Sequence, residues 1–510
     1  MFKNRKGIIT ICISLLFIIT LLFASIYANN IGYSNTNNKY HGKTPKYIFL
    51  FIGDGMSYAQ INSAEIYSGK QLYGNDTVNV KRLNFTEFPV EGTCTTFDKE
   101  SFIPDSASTA TAIATGNKTL SGTINMDSTK TITYKPISEL LKAKGYKIGV
   151  VSSVSINHAT PAAFYAHQPS RNNYYDIAVE LATSNFDYFG GGGFKQPTGK
   201  DNDQPDVIDI ARDNGFKYVN SKEEIMSLNN NSGKVIAVNP KLDSSKALPY
   251  EIDRNENDLS LANYTKKGID VLYNRKSEGF FMMVEAGKID WACHANDAGA
   301  SINDTLAFES SIDEAIAFQK KHPRETLIIV TGDHECGGMT LGFAGTAYET
   351  FFDEISHQTN SYLEFDKIIS EYKNTTSKED ATLEDLLPVI KDSFGLIVST
   401  DSSASENPNM VLSDFEIQKL KDSLVQTMIN QDERNYDDND KLLYGEYEPL
   451  SVTLTHILNN KAGIGWTSYS HTALPIPVYA KGIGEDIFDG SYDNTDIFKK
   501  LASIMELRVE

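Results

Sequence analysis

Cysteine is scarce in this chain, with four in 510 residues. Cys12 falls in an N-terminal apolar stretch, so Cys94, Cys293 and Cys336 are left for the rest, which excludes a disulfide-dense scaffold. Positive charge is also in deficit. Lys and Arg number 47 against 67 Asp and Glu, a formal net charge of −20. That excludes nucleic acid as a specific partner, because its phosphate backbone would be repelled. An anionic small substrate would have to be drawn in by local positive charge, namely metal ions and an arginine. No Gly-x-Ser-x-Gly elbow is present, so a Ser-His-Asp hydrolase has no footing. No internal repeat is evident. Beyond residues 8–23, no apolar run is long enough to span a bilayer.

That one run has the form of a targeting segment. Lys3, Arg5 and Lys6 precede it and a small-residue exit at 24–28 follows. This predicts a secretory signal peptide over 1–28 and a secreted or extracytoplasmic protein. Left uncleaved, the same segment would tether the chain to a membrane. Residues 29–43 are polar and Asn-rich, a flexible lead-in.

From Lys46 to about Gly342, apolar strands alternate with amphipathic helices, which predicts an α/β fold with a mostly parallel central sheet and helices on both faces. The strands end on residues that carry chemistry. Tyr47–Ile52 runs into Gly53-Asp54-Gly55, and Lys147–Val151 leads to His158 and Thr160. Gly279–Val284 ends in Glu285, with Asp290 and His294 just beyond, and Leu327–Val330 ends in Thr331-Gly-Asp333-His334. Ligands of open α/β sheets bind beyond the carboxyl ends of the strands. Carboxylates and imidazoles gathered there suit divalent cations.

Residues 345–461 are polar, acidic and helix-prone, and read as an insertion forming a cap or crown on a single catalytic domain spanning 44–510. In it, 383–394 and 412–429 are amphipathic, with Pro388 expected to break or kink the first. Residues 435–440 read as an exposed acidic loop that does not match an EF-hand. The core pattern resumes at Trp466–His471, with a strand at Ile476–Ala480 and a C-terminal helix at Asn494–Glu506.

Pro104-Asp105-Ser106 opens a helix of small residues. A serine there faces unpaired N–H groups and the positive end of the helix dipole, a setting for phosphate or for an alkoxide. It would need a base or a metal to act as a nucleophile. Arg171, downstream of His158, could clamp a phosphoryl group with paired hydrogen bonds. Cys293 and Cys336 read as small residues packed behind a metal site, with a mutual disulfide as the alternative.

Taken in order, Gly53-Asp-Gly-Met56, Asp105-Ser-Ala107, His158-Ala-Thr160 with Arg171, Glu285 through Asp290 to His294, Gly332-Asp-His334 and His471-Thr472 resemble the zinc-dependent alkaline phosphatase family. The resemblance covers 44 to about 342 and 463 to about 508. It implies two zincs and one magnesium. Asp290, His294 and His471 would hold the first zinc, and Asp54, Asp333 and His334 the second, beside Ser106. Asp54 would bridge to the magnesium, completed by Thr160 and Glu285, with His158 in or near its shell. The implied activity is phosphate monoester hydrolysis through a phosphoserine, with broad specificity and a homodimer as one oligomeric form.

This chain has His158 and Trp291 where one bacterial version of the family has Asp and Lys. The missing lysine implies weaker product retention and greater dependence on added magnesium. The competing expectations are a phosphodiesterase of the same superfamily and a non-catalytic secreted metal-binding protein.

Overall fold

The computed structural model describes residues 40, 42–74 and 78–508. The expected signal peptide and nearly all of the lead-in lie outside the described residues. Gly42–Glu510 form one compact unit, and among the described residues no helix is long and apolar enough to cross a membrane.

Ten strands make the central sheet: β1 (Tyr47–Gly53), β2 (Val90–Thr95), β3 (Lys147–Ser152), β4 (Tyr188–Gly191), β5 (Phe216–Val219), β6 (Lys234–Val238), β7 (Phe280–Ala286), β8 (Thr326–Gly332), β9 (Ile476–Gly482) and β10 (Gly490–Asp493). Their order is β10-β2-β9-β8-β1-β7-β3-β4-β6-β5. All pairings are parallel except those of β9, which runs antiparallel to both β2 and β8. β1, β7 and β8 are buried along their whole length. That is why they read as continuous β-branched and aromatic runs rather than alternating ones. Helices such as Leu261–Leu272 and Ala298–Lys321 return the chain between parallel strands.

Register positions the site. Ile52 pairs with Glu285 and with Thr331, Gly53 pairs with Gly332, and Ser152 pairs with Glu285. The carboxyl ends of β1, β3, β7 and β8 therefore stop level with one another, and the residues that follow each strand enter one space.

The 345–461 stretch is helical, as expected, with helices Tyr362–Thr375, Leu383–Phe394, Asp414–Thr427, Asp438–Tyr444 and Pro449–Ala462. Two expectations need correction. Pro388 lies inside Leu383–Phe394 and the helix continues through it. The proline forfeits one backbone bond, while the buried face of Leu383, Leu386, Ile390 and Phe394 holds the remaining turns in place. The acidic run at 435–440 is only half loop. Asp437 accepts from the backbone N–H groups of Asn439 (2.7 Å) and Asp440 (2.8 Å) and caps the helix Asp438–Tyr444.

Candidate metal centre

Asp54 follows β1 directly. Gly55 then turns the chain with φ of 70°, and a Cβ there would stand 2.8 Å from the Asp290 Cα. The turn needs glycine both for its left-handed backbone and for this approach. At the end of β7, the helix Lys288–His294 places Asp290 and His294 one turn apart on one face. Asp333 and His334 continue β8, and the short strand Glu335–Cys336 pairs antiparallel with His471–Thr472. That pairing brings a residue from the end of the chain to the sheet edge. Glu335 fastens it: its carboxylate accepts from Gln60 Nε2 (2.8 Å) and from the hydroxyl of Thr472.

The expected ligands come together in three overlapping groups, the potential ligand atoms of each lying within 4.8 Å of one another: Asp290, His294, Cys336 and His471; Asp54, Asp290 and His334; and Asp54, His158 and Glu285. In the first, the Nε2 atoms of His294 and His471 face each other at 3.1 Å. His294 Nδ1 meets the Tyr469 carbonyl at 2.6 Å and His471 Nδ1 the Pro104 carbonyl at 2.7 Å. A carbonyl can only accept, so each Nδ1 carries a proton and each Nε2 faces the same space, where it can offer a lone pair once it has given up any proton shared with Asp290. Asp290 Oδ2 is 3.3 Å from His294 Nε2, and Oδ1 is 3.5 Å from His471 Nε2.

In the second group, His334 Nε2 lies 3.4 Å from Asp54 Oδ1, 3.2 Å from Asp333 Oδ2 and 3.3 Å from Ser106 Oγ. Asp333 is thus within reach of this group, though Thr109 Oγ1 also donates to its Oδ2 at 3.1 Å. Ser106 opens the helix Ser106–Thr115, every residue of which is buried. In the third group, Ser152 Oγ donates to Glu285, while the Thr160 hydroxyl lies close to that carboxylate without a bond of normal geometry.

Arg171 is gripped from two sides. Nη1 donates to Asp105 Oδ2 at 2.9 Å, and Nη2 donates to His158 Nε2 at 3.2 Å. Asp105 Oδ1 accepts from Ser108 N at 3.0 Å, so one carboxylate caps the Ser106 helix and aims the guanidinium. Trp291 packs edge-on against His158, with ring centroids 5.8 Å apart. Lys288 is fully buried, lies 5.1 Å from the Trp291 ring, and is paired with Asp243 at 2.7 Å.

Four carboxylates share this buried space. Burial, and then the neighbouring Asp333, Asp290 and Glu285, hold the Asp54 carboxyl well above its usual range. Burial and Asp290 push Asp333 up to about 8, and burial lifts Glu285 to about 7. Burial disfavours charge on Asp290 too, but the imidazoles of His294 and His471 outweigh it and hold it well below the usual range. Burial and the charge of Arg171 keep His158 neutral. Both oxygens of Asp54, Asp290 Oδ1, Glu285 Oε1 and Thr160 Oγ1 are buried with no hydrogen-bond partner. Buried acceptors without partners are costly, and divalent cations satisfy oxygen and imidazole donors of this kind. The donor set fits the metals that the resemblance implies.

All eleven expected site residues fall at this edge of the sheet. Others there were not foreseen: Asp105 as partner of Arg171, the carbonyls of Pro104 and Tyr469 that orient the imidazoles, Glu335 as the staple, and Cys336 among the donors. Cys293 and Cys336 are both free, so the disulfide alternative is set aside.

The alkaline phosphatase family model matches residues 45–507. Alkaline phosphatase 3 of Bacillus subtilis is 28% identical over 503 residues, covering 96% of each chain, and alkaline phosphatase 4 of the same organism is 30% identical, covering 89% of this chain and 88% of its own. A solved alkaline phosphatase from Shewanella sp. superposes with a TM-score of 0.72 at 26% identity, covering 90% of this chain and 99% of its own. A His-to-Glu mutant of the alkaline phosphatase of the Antarctic bacterium TAB5, solved with magnesium in its M3 site, superposes with a TM-score of 0.60 at 26% identity, covering 92% of this chain and 100% of its own. The match over nearly the whole chain, on a sheet whose edge gathers a serine, an arginine and three donor clusters, makes this chain a member of the alkaline phosphatase family.

Proposed function

We propose that this metal-dependent phosphatase hydrolyses phosphate monoesters through a phosphoserine on Ser106, at a centre of two zincs and one magnesium. Asp290, His294 and His471 would hold one zinc, Asp54, Asp333 and His334 the other, and Asp54, Thr160 and Glu285 the magnesium, with His158 beside it. Bound there, the cations would supply Lewis acidity, lowering the pKa of hydroxyl and water and neutralising charge that develops on oxygen.

The observation that carries this reading is the Ser106 hydroxyl, 3.3 Å from His334 Nε2, the same nitrogen that lies 3.4 Å from Asp54 Oδ1 and 3.2 Å from Asp333 Oδ2. Arg171, fixed by Asp105 and His158, would take two phosphoryl oxygens and hold phosphorus in line with Ser106 Oγ. Attack by Oγ forms the Ser106–phosphorus bond and releases the alcohol. Water then attacks from the opposite side, freeing orthophosphate and returning Ser106. Magnesium in the M3 site of the TAB5 relative, bound in a variant with Glu in place of a His, is consistent with magnesium in an oxygen-rich cluster. The N-terminal segment, read as a signal peptide, would place the activity outside the cytoplasm.

Ser106→Ala tests the reading. Turnover of p-nitrophenyl phosphate is expected to fall by at least about three orders of magnitude, with the wild type slower on the bis ester. Activity near the parent level in the variant would contradict it.

A further inference from the structure

The first cluster holds one more donor than its three expected ligands. Cys336 is fully buried and in no disulfide. Its Sγ and the ligand atoms of Asp290, His294 and His471 all lie within 4.8 Å of one another. Around one zinc at bond lengths of about 2.0–2.3 Å, four tetrahedral donors stand roughly 3.3–3.8 Å apart, so this set would close by at most about 1.0–1.5 Å. The backbone fixes the sulfur's place: Cys336 sits opposite His471 in the short antiparallel pair, and its carbonyl accepts from Gln60 Nε2 at 3.0 Å. His334 lies in the bend after β8 and Cys336 in the short strand that follows, and the two reach neighbouring clusters. One strand end thereby delivers an imidazole to one cation and a sulfur to the next.

We propose that Cys336 binds as a thiolate to the cation held by Asp290, His294 and His471, making this centre a thiophilic zinc site. This rests on the three-cation reading. Metal binding expels the thiol proton to solvent, and no redox change is involved. The other use of this sulfur is as an S–H donor to Asp290 behind the cation. A residue serving Asp290 alone would have no need to stand within reach of both imidazole nitrogens as well, and the sulfur does so. Zinc accepts a fifth ligand, so the sulfur leaves room for a substrate oxygen. A soft donor also separates the two kinds of cation in adjoining sites: sulfur suits zinc, while Asp54, Thr160 and Glu285 offer only the oxygen that magnesium takes.

Full-length protein stripped by a chelator and refilled with cobalt(II) tests this, because the electronic spectrum of cobalt reports its ligands. The wild type is expected to show visible d–d bands together with a near-ultraviolet sulfur-to-cobalt charge-transfer band. Cys336→Ser is expected to keep the d–d bands, lose the charge-transfer band, and hold this cobalt about 10–100-fold more weakly. Cys293→Ser is expected to keep both. If Cys336→Ser fails to fold, a Cys94→Ser/Cys293→Ser double variant decides, since Cys336 is then the one thiol beyond residue 28; a surviving band supports the assignment and its loss overturns it. Cobalt bound without the charge-transfer band in the wild type leaves Cys336 as a hydrogen-bond donor and overturns this inference alone. A protein that binds no cobalt overturns the three-cation reading with it.

Discussion

At the scale of single residues, the site was legible where one position follows a buried strand. Asp54, Glu285, Asp333 and His334 announce themselves because an apolar run stops on a carboxylate or an imidazole. Asp105 and Cys336 did not, because an N-cap carboxylate and a small buried thiol carry no local sign of what lies across the fold. The pairing of His158 with Arg171 was also hidden, and it changes how the His158 and Trp291 departures are understood. His158 does not merely stand beside the oxygen-rich cluster; it holds the arginine. The charge of Lys288, near Trp291, is already neutralised by Asp243. The His158→Asp/Trp291→Lys double variant therefore adds an unneutralised ammonium near the phosphate and a hard oxygen ligand. Inhibition by orthophosphate is expected to tighten about tenfold and activation by added magnesium to diminish. An unchanged inhibition constant would show that these positions do not set product retention.

Among elements, strand ends and helix caps do the positioning. Five strands of the central sheet, β1, β3, β7, β8 and β9, were readable to within a few residues, because burial on both faces of the sheet leaves a strong apolar signature; the short β2, β4, β5, β6 and β10 were not singled out. The short Glu335–Cys336 and His471–Thr472 strands left none, since their pairing depends on Gln60 and on a segment far away in sequence. Pro388 does not break its helix because a buried helical face outweighs the loss of one hydrogen bond. The Ser106 helix invites a specific separation. Asp105→Ala removes both the cap and the partner of Arg171, and is expected to lower stability by about 1 kcal/mol and to raise KM. Asp105→Asn keeps a capping side chain but loses the charge, so it is expected to raise KM with little loss of stability. Denaturant unfolding beside steady-state kinetics distinguishes the two, and equal KM in both variants and the wild type would show that Asp105 does not orient the guanidinium.

Over the whole molecule, a chain of net charge −20 concentrates buried carboxylates at one sheet edge. Without cations, burial favours the protonated form of Asp54, Asp333 and Glu285. Asp333 and Glu285, raised to about 8 and about 7, are ordinary carboxylates of pKa near 4 once unfolded. Between pH ~4 and ~8 the metal-free folded state then binds more protons than the unfolded one, so its stability falls as pH rises. With metals bound that penalty disappears. The difference in Tm between holo and chelated protein is expected to widen from pH 5 to pH 8. A gap that stays constant or narrows would mean the carboxylates do not face bound cations.

The claim beneath all of this is that segments distant in sequence gather three cations around the Ser106 hydroxyl. Metal analysis of the purified protein, with orthophosphate release measured on the same samples, tests it most directly. The wild type is expected to carry about two zincs and one magnesium per chain. Asp54→Ala, which removes the residue shared by two of the clusters, is expected to lose one zinc and the magnesium together with activity. A wild-type protein free of bound metal, or a chelated sample releasing orthophosphate at the full rate, would contradict the account.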